Sequence, residues 1–345
     1  MGNKFLRKGL NKKPGRLLVE DMKALSFNQT GDALQVLTTG EFDKPVAQTG
    51  EVVVRVSETT LNPADFLFIQ GKYRTQPVFP QIAGMEGTGR VESVGAGVTI
   101  PTGTLVAFFW RKAWAEYVVV PETELVVLPV DFPVEKAAQM GLNPQTAWGL
   151  LERVNVQPGE WLLLTAGNSV VAQLLIQLAV LRGIKVISVV RSNKSNTLLK
   201  ELGAEIIDLS VSTVEQRVME ITGGKGLQGA LDAVGGPTMT EVFKCMARNG
   251  RVILYGSLSP EPFSATNPIF HFKNVSLSGF GVRGYLGDKT VEQRTSINRQ
   301  LAELIGKPTF RLGVTATYSL TEWKEAVQRM RMGESGKVLL RFSGQ

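Results

Sequence analysis

From residue 161 to residue 280 the chain alternates between short apolar runs and helix-like stretches. The runs are WLLLTA (161–166), KVISVV (185–190), EIIDL (205–209), ALDAVG (230–235), RVILYGS (251–257) and NVSLSGF (274–280). Between them lie helical patterns over 169–182, through NTLLKELG (196–203) and around TMTEVFKCMA (238–247). Strands that are apolar on both faces must be covered on both, and regularly interleaved helices do this for a parallel sheet. The pattern therefore predicts a doubly wound α/β unit, whose ligands bind beyond the carboxyl ends of the strands. The lead-in, GLNPQTAWGLLERV, predicts a helix with Asn143 as N-cap and Pro144 at its first position. Ala147, Leu150, Leu151 and Val154 then fall on one face.

The chain before this unit reads differently. EVVVRVS (51–57), GRVESVGAGV (89–98), LVAFFW (105–110), AEYVVVP (115–121) and ELVVLP (124–129) are short β-branched runs separated by Gly, Pro and Asn. They predict a small antiparallel, barrel-like domain, with the glycines at 84, 87, 89, 95 and 97 serving turns and corners. After about residue 288 come two helical patterns, VEQRTSINRQLAELIG and TEWKEAVQRM, and a last strand, KVLLRF (337–342), that can return to the barrel. The expected organisation is a basic, disordered leader over 1–21, a barrel domain from 22–135 and 288–345, and an α/β domain over 136–287.

Charge and composition exclude several classes. A chain of 345 residues suits two domains, and 43% hydrophobic with 20% charged residues is a soluble globular composition. No apolar run reaches the ~18 residues needed to span a bilayer. The net charge is +7, but Lys4, Arg7, Lys8, Lys12, Lys13 and Arg16 put much of it in the leader. What remains gives no nucleic-acid signal. The leader lacks the serines and amphipathic pattern of a transit peptide, and Leu6 breaks a myristoylation signal, so a cytoplasmic location is expected. One cysteine, Cys245, and one histidine, His271, allow neither an internal disulfide nor a protein zinc site. No metal is expected. Cys245 reads as a buried small hydrophobe and His271 as structural.

The turn after the first α/β strand reads Gly167-Asn168-Ser169-Val170-Val171-Ala172 where a dinucleotide fingerprint reads G-x-G-x-x-G. Gly167 keeps the residue that makes the tight bend, Ser169 and Ala172 are the next-smallest substitutes, and the helix start offers N–H groups to a phosphate. A plain strand–helix turn is the competing reading. The end of the next strand sharpens the choice. An NAD site carries an acid there for the ribose 2′-OH, whereas this chain has Arg191-Ser192-Asn193-Lys194. Arg191, Ser192 and Lys194 suit a 2′-phosphate, which points to NADPH, although a solvated loop would look the same. Tyr255-Gly256 and Phe280-Gly281-Val282 follow later strands, at the same rim of the predicted sheet.

The arrangement from about residue 22 onward resembles the medium-chain dehydrogenase/reductase superfamily, built from a GroES-like β-barrel catalytic domain and a Rossmann domain. Zinc enzymes of that superfamily carry G-H-E-x-x-G; the matching stretch here is GMEGTG (84–89), with Met85 in the histidine place. LNPADFLFIQGKYRTQPVFPQIAGMEGTGRVESVG (61–95), GLNPQTAWGLL (141–151) and AGNSVVAQ resemble the mitochondrial-type 2-enoyl thioester reductases, while Val170 and Ala172 depart from their glycines. The NADPH:quinone oxidoreductases share the fold and cofactor and often carry a tyrosine in the same segment. The resemblance implies Tyr73 as proton donor, and Asn62 and Thr146 beside the nicotinamide. It also implies a homodimer formed through the edge of the cofactor-domain sheet, and a small-molecule or acyl-carrier substrate. Trp110, Trp114 and Phe280 are candidates to line the cleft, and Lys72, Arg74, Arg111, Lys112 and Arg283 to meet carrier phosphates. An NADPH-binding sensor without turnover is the competing class.

Overall fold

The protein, obtained as a computed structural model, is described over residues 20–192 and 196–342. Its strands in chain order are β1 Asp21–Phe27, β2 Thr38–Asp43, β3 Glu51–Thr60, β4 Gln81–Ile82, β5 Glu86–Val94, β6 Leu105–Phe109, β7 Tyr117–Pro121 and β8 Leu125–Val127. There follow β9 Trp161–Leu164, β10 Lys185–Val190, β11 Ala204–Asp208, β12 Leu227–Asp232, β13 Met246–Leu254, β14 Ser276–Gly279, β15 Val314–Ser319 and β16 Lys337–Arg341.

Strands β9 to β14 form the parallel sheet that the alternation predicts. Its order is β11-β10-β9-β12-β13-β14, so the chain winds outward from β9 to one edge and then from β12 to the other. β9, the first strand, sits in the middle, and its C-terminal end is the switch point where ligands bind in such sheets. The helix after it, Val170–Leu181, is buried almost all round because it lies between the sheet and the barrel half. Its two buried glutamines are matched accordingly. Gln173 Nε2 donates to Ser335 Oγ (2.8 Å), and Gln177 exchanges bonds with the backbone of Arg311 (2.8 Å each way).

Strands β1 to β8, with β15 and β16, build the barrel half from a seven-stranded sheet, β15-β16-β3-β5-β6-β8 with β7 on β3, and a three-stranded sheet, β2-β1-β4. β3 is long enough to fork: residues 51–55 pair with β7 and residues 58–60 with β16. KVLLRF thus does return to the barrel, and β15 joins it in parallel. Phe27, Phe68, Phe108 and Trp114 fill its interior with less than 2% exposure. Each such burial is worth about 1.5–3 kcal/mol. A second apolar cluster runs from Leu105, Ala107 and Leu128 of the barrel half to Leu150 and Leu174 beneath the parallel sheet, so the halves share packing.

Local boundaries shift where tertiary bonds intervene. The helix Asn143–Val154 begins one residue earlier than the Asn-Pro pair predicts, with Leu142 as its N-cap. Leu142 N–H is held by Glu86 Oε1 at 2.8 Å, a long-range bond that draws the helix start back. The helix Gly236–Lys244 stops before Cys245, whose thiol is buried and pushed up to about 12 by desolvation, far from reactive. His271 ends a short helix on the surface and stacks against Phe272.

Candidate active site

The rim of the parallel sheet gathers the turn residues singled out by sequence. Ser169 caps the helix Val170–Leu181, its hydroxyl accepting from Ala172 N–H at 3.2 Å. That bond uses an acceptor lone pair of the hydroxyl and not its O–H. The first-turn N–H groups of Val170 and Val171 keep no intrahelical partner, as at any helix start, and present the positive end of the dipole. Gly167 is required by space: a Cβ there would overlap Ser188 Oγ and lie 2.9 Å from Val189 O. At Gly256 a Cβ would sit 2.6 Å from the Ala233 carbonyl. Two buried polar atoms along this rim, Asn168 Oδ1 and Ser188 Oγ, have no hydrogen-bond partner. Burial beside Asp232 raises the Tyr255 phenol, so it stays protonated. Small residues where backbone must approach, a free helix start and orphaned polar atoms fit a bound dinucleotide.

Asp232, which sequence reasoning missed, shapes the opposite side. Its buried carboxylate accepts from Thr165 Oγ1 (2.6 Å) and from the N–H groups of Gly235 (2.7 Å) and Val234 (3.3 Å), fixing the turn after β12 against the turn after β9. At the end of β10, Arg191 and Ser192 are exposed to solvent with no acid beside them in the chain. Lys194 lies outside the described residues.

Beyond the rim, a cleft of about 820 Å³ opens on the barrel half. Tyr73, Met85, Phe109 and Trp110 line it, with Arg74, Arg111, Lys112 and Arg283. Tyr73 follows the helix Pro63–Ile69, which the sequence reading passed over although Asn62, Pro63 and Asp65 spell a capping box with proline at the first turn. That helix delivers Phe68, whose ring meets Tyr73 edge-on at 6.4 Å. Among the described residues the Tyr73 hydroxyl has no hydrogen-bond partner. Trp110 is in the cleft, but Trp114 is fully buried with its indole N–H on Thr60 O (3.1 Å). Phe280 does not line the cleft; it packs on Tyr285 at 5.7 Å. Lys72 is exposed and outside the lining.

Asn62 and Thr146 sit behind this surface. Asn62 Nδ2 donates to Thr60 Oγ1 (2.8 Å) and Glu86 Oε2 (2.9 Å), while its Oδ1 accepts from the ammonium of Lys337. Its side chain is thus fully engaged within the protein. Glu86, Asp65 and Lys337 are each more than nine-tenths buried, so this is an internal ionic cluster. Desolvation lowers the Lys337 ammonium, against the pull of Glu86 and Asp65. Burial pushes the Asp65 carboxyl up to about 7, although it accepts from Asn62 N–H. Thr146 Oγ1 donates to Leu142 O at 2.8 Å, one turn into the helix that Glu86 anchors.

The segment after β14 reaches from the parallel sheet to the cleft. Phe280 N–H donates to Leu254 O (2.8 Å), and the helix Val282–Gly287 follows. It is braced by Glu152, which accepts from Tyr285 Oη (2.8 Å) and pairs with Lys289 (3.2 Å). Gly149 makes room: a Cβ there would lie 2.7 Å from Phe280 and 2.8 Å from Tyr285. Among the described residues no group of three or more His, Cys, Asp or Glu side chains could hold a metal ion. No described helix is long and apolar enough to cross a membrane.

A GroES-like barrel half joined to a Rossmann sheet defines a nucleotide-dependent oxidoreductase fold. Residues 48–130 match the alcohol dehydrogenase GroES-like domain, and residues 170–298 match the zinc-binding dehydrogenase family. The mitochondrial enoyl-[acyl-carrier-protein] reductase of Dictyostelium discoideum is 31% identical over 330 residues, 92% of this chain and 93% of that one. A quinone oxidoreductase structure from Pseudomonas syringae superposes with a TM-score of 0.83 at 29% identity, over 93% of this chain and 99% of that chain. The Escherichia coli quinone oxidoreductase, solved with NADPH, gives 0.84 at 25% identity, over 92% and 99%. The chain belongs to the medium-chain dehydrogenase/reductase superfamily and is an oxidoreductase.

Proposed function

We propose that this oxidoreductase uses NADPH to reduce the conjugated C=C of a trans-2-enoyl thioester, with Tyr73 as proton donor. The observation that carries the reading is Tyr73 on the wall of a cleft that also presents Arg74, Arg111 and Arg283. NADPH, when bound, supplies a hydride to the β-carbon, and the electron pair of the C=C moves to an enolate. A phenol, ordinarily protonated at neutral pH, gives its proton to the α-carbon and is reprotonated from solvent. Gly167, Asn168, Val170, Val171 and the capped start at Ser169 receive the pyrophosphate, and Arg191, Ser192 and Lys194 the 2′-phosphate. Tyr255, Gly256, Phe280 and Val282 border the nicotinamide side. Asn62 and Thr146 support that side from behind, since their polar atoms bond within the protein.

The resemblance of the fold to quinone oxidoreductases favours a quinone as the second reading. NADPH oxidation by the purified protein, measured with a short trans-2-enoyl-CoA and separately with a small quinone, decides between them. Enoyl turnover that falls about 10²- to 10⁴-fold in kcat for Tyr73→Phe is the expected result. Turnover of the quinone alone, indifferent to Tyr73, would overturn it.

Within this reading the barrel domain comprises 22–135 and 288–345, and the cofactor domain 136–287. A second copy pairs along β14, one of the two edges of the parallel sheet, where Phe272 (65% exposed) and Leu277 (37%) stand out. Light scattering tests that dimer. The cytoplasmic assignment competes with the mitochondrial one carried in the relatives' names, and imaging of a fluorescent fusion separates them.

A further inference from the structure

Every residue lining the cleft except one lies between positions 22 and 119; the exception is Arg283. It comes from the short helix after β14, an edge strand of the parallel sheet, and bonds to Phe109 of the barrel half. Its guanidinium lies over Phe109 (4.8 Å) and Trp110 (5.6 Å), and one Nη donates to the Phe109 carbonyl at 3.2 Å. The helix that carries it is fixed from beneath by Glu152, Tyr285 and the slot at Gly149.

The cleft lining carries Arg74, Arg111, Lys112 and Arg283 against Asp43 and Glu51. Among the described residues none of Arg74, Arg111, Lys112 and Arg283 has a carboxylate within ion-pair distance. Arg111 donates to a neutral hydroxyl, Thr75 Oγ1 (2.6 Å), and Arg74 rests near the Tyr73 ring (5.9 Å). Arg283 is half-buried and faces Arg74, Arg111 and Tyr73, with Glu124 as its counter-charge. Glu124 is itself shared with Arg294 at 3.7 Å. Desolvation by burial and the two like charges disfavour the Arg283 cation, so an arriving anion relieves both penalties at once. The guanidinium lies near two aromatic rings and bonds one carbonyl, and its remaining donors form the fork that matches a phosphate.

We propose that Arg283, with Arg74 and Arg111, forms a phosphate gate across the cleft, Arg283 exchanging the Phe109 carbonyl for a phosphate of the substrate's carrier. The inference rests on the thioester reading and deepens it. The carrier arm of an enoyl thioester ends in a phosphate ester, whether on coenzyme A or on a carrier protein, and a simple quinone has none. Arg283 is on this account a specificity-determining residue.

The test uses the full-length enzyme with NADPH and one enoyl group on two arms, 4′-phosphopantetheine and unphosphorylated pantetheine. A charge-assisted hydrogen bond predicts that the phosphorylated arm is preferred by roughly 10- to 100-fold in kcat/KM, expressed in KM. In Arg283→Gln that ratio collapses toward unity, and Arg283→Lys restores part of it. An unchanged ratio in Arg283→Gln overturns the gate. The same acyl group on coenzyme A and on a carrier protein separates the sources: a deficit on both marks the shared ester, a deficit on coenzyme A alone marks its nucleotide phosphates. Titration of acyl-free 4′-phosphopantetheine, read by tryptophan fluorescence with Trp110→Phe as control, does not depend on turnover. Saturable quenching that needs both Trp110 and Arg283 upholds the gate even if no enoyl thioester is reduced; its absence refutes the gate even if one is.

Discussion

Two charged clusters in this fold differ in how they are closed. The inner one, Lys337 with Glu86, Asp65 and Asn62, is buried and internally bonded; it joins β3, β5, β16 and the helix after Asn62. The outer one, Arg74, Arg111 and Arg283, lines the cleft with Asp43 and Glu51, and among the described residues none of the three arginines has a carboxylate within ion-pair distance. The difference teaches where ligand chemistry resides. A cluster with its own counter-charges holds a fold together, while a cluster left open stores an electrostatic cost that a ligand can remove.

Substitutions in the two should therefore register in different measurements. Lys337→Met leaves Glu86 and Asp65 buried without their cation, and the expected loss is about 3–5 kcal/mol in urea unfolding. A loss that small surface changes also produce would break the comparison by making the inner cluster dispensable. Gly149→Val comes next. Its new methyl groups enter space held by Phe280 and Tyr285, costing about 1–3 kcal/mol. Because the displaced helix carries Arg283, the phosphate preference should weaken too; stability that falls with the preference intact would uncouple that brace from the cleft.

The smallest effect is a pH dependence. The Asp65 carboxyl titrates at about 7 in the fold and in the ordinary carboxylate range when unfolded, so the fold holds its proton more tightly. Its stabilising contribution is complete below about pH 4 and is lost as pH rises through 7. From pH 6 to 7.5 the wild type should lose about 1 kcal/mol that Asp65→Asn does not. Parallel urea midpoints for the two proteins would refute this.

Much of the architecture was legible in the chain. The alternation over 161–280 yields the observed parallel sheet, because strand burial and helix periodicity are local patterns. β2, with the sequence TTGEFD, and β15, with VTATYS, carry little apolar signal and escaped notice; both lie at sheet edges. The helix Pro63–Ile69 had a readable signal in its capping box but is only two turns long. Trp114 and Trp110, alike in sequence, part company in space, one buried under Thr60 and one in the cleft.

The sequence by itself determined the class of fold, the lack of enough Cys and His for a zinc site, and the turn at Gly167, since composition, periodicity and short motifs are properties of neighbouring residues. Only the tertiary structure decided that Lys337 reaches Asn62 across 275 positions, that Asn62 is thereby engaged, and that Arg283 crosses to Phe109. Those contacts depend on how β16 returns to β3 and how the segment after β14 bends over the cleft. Charge pairing over such distances follows the path of the whole chain, which no local pattern encodes.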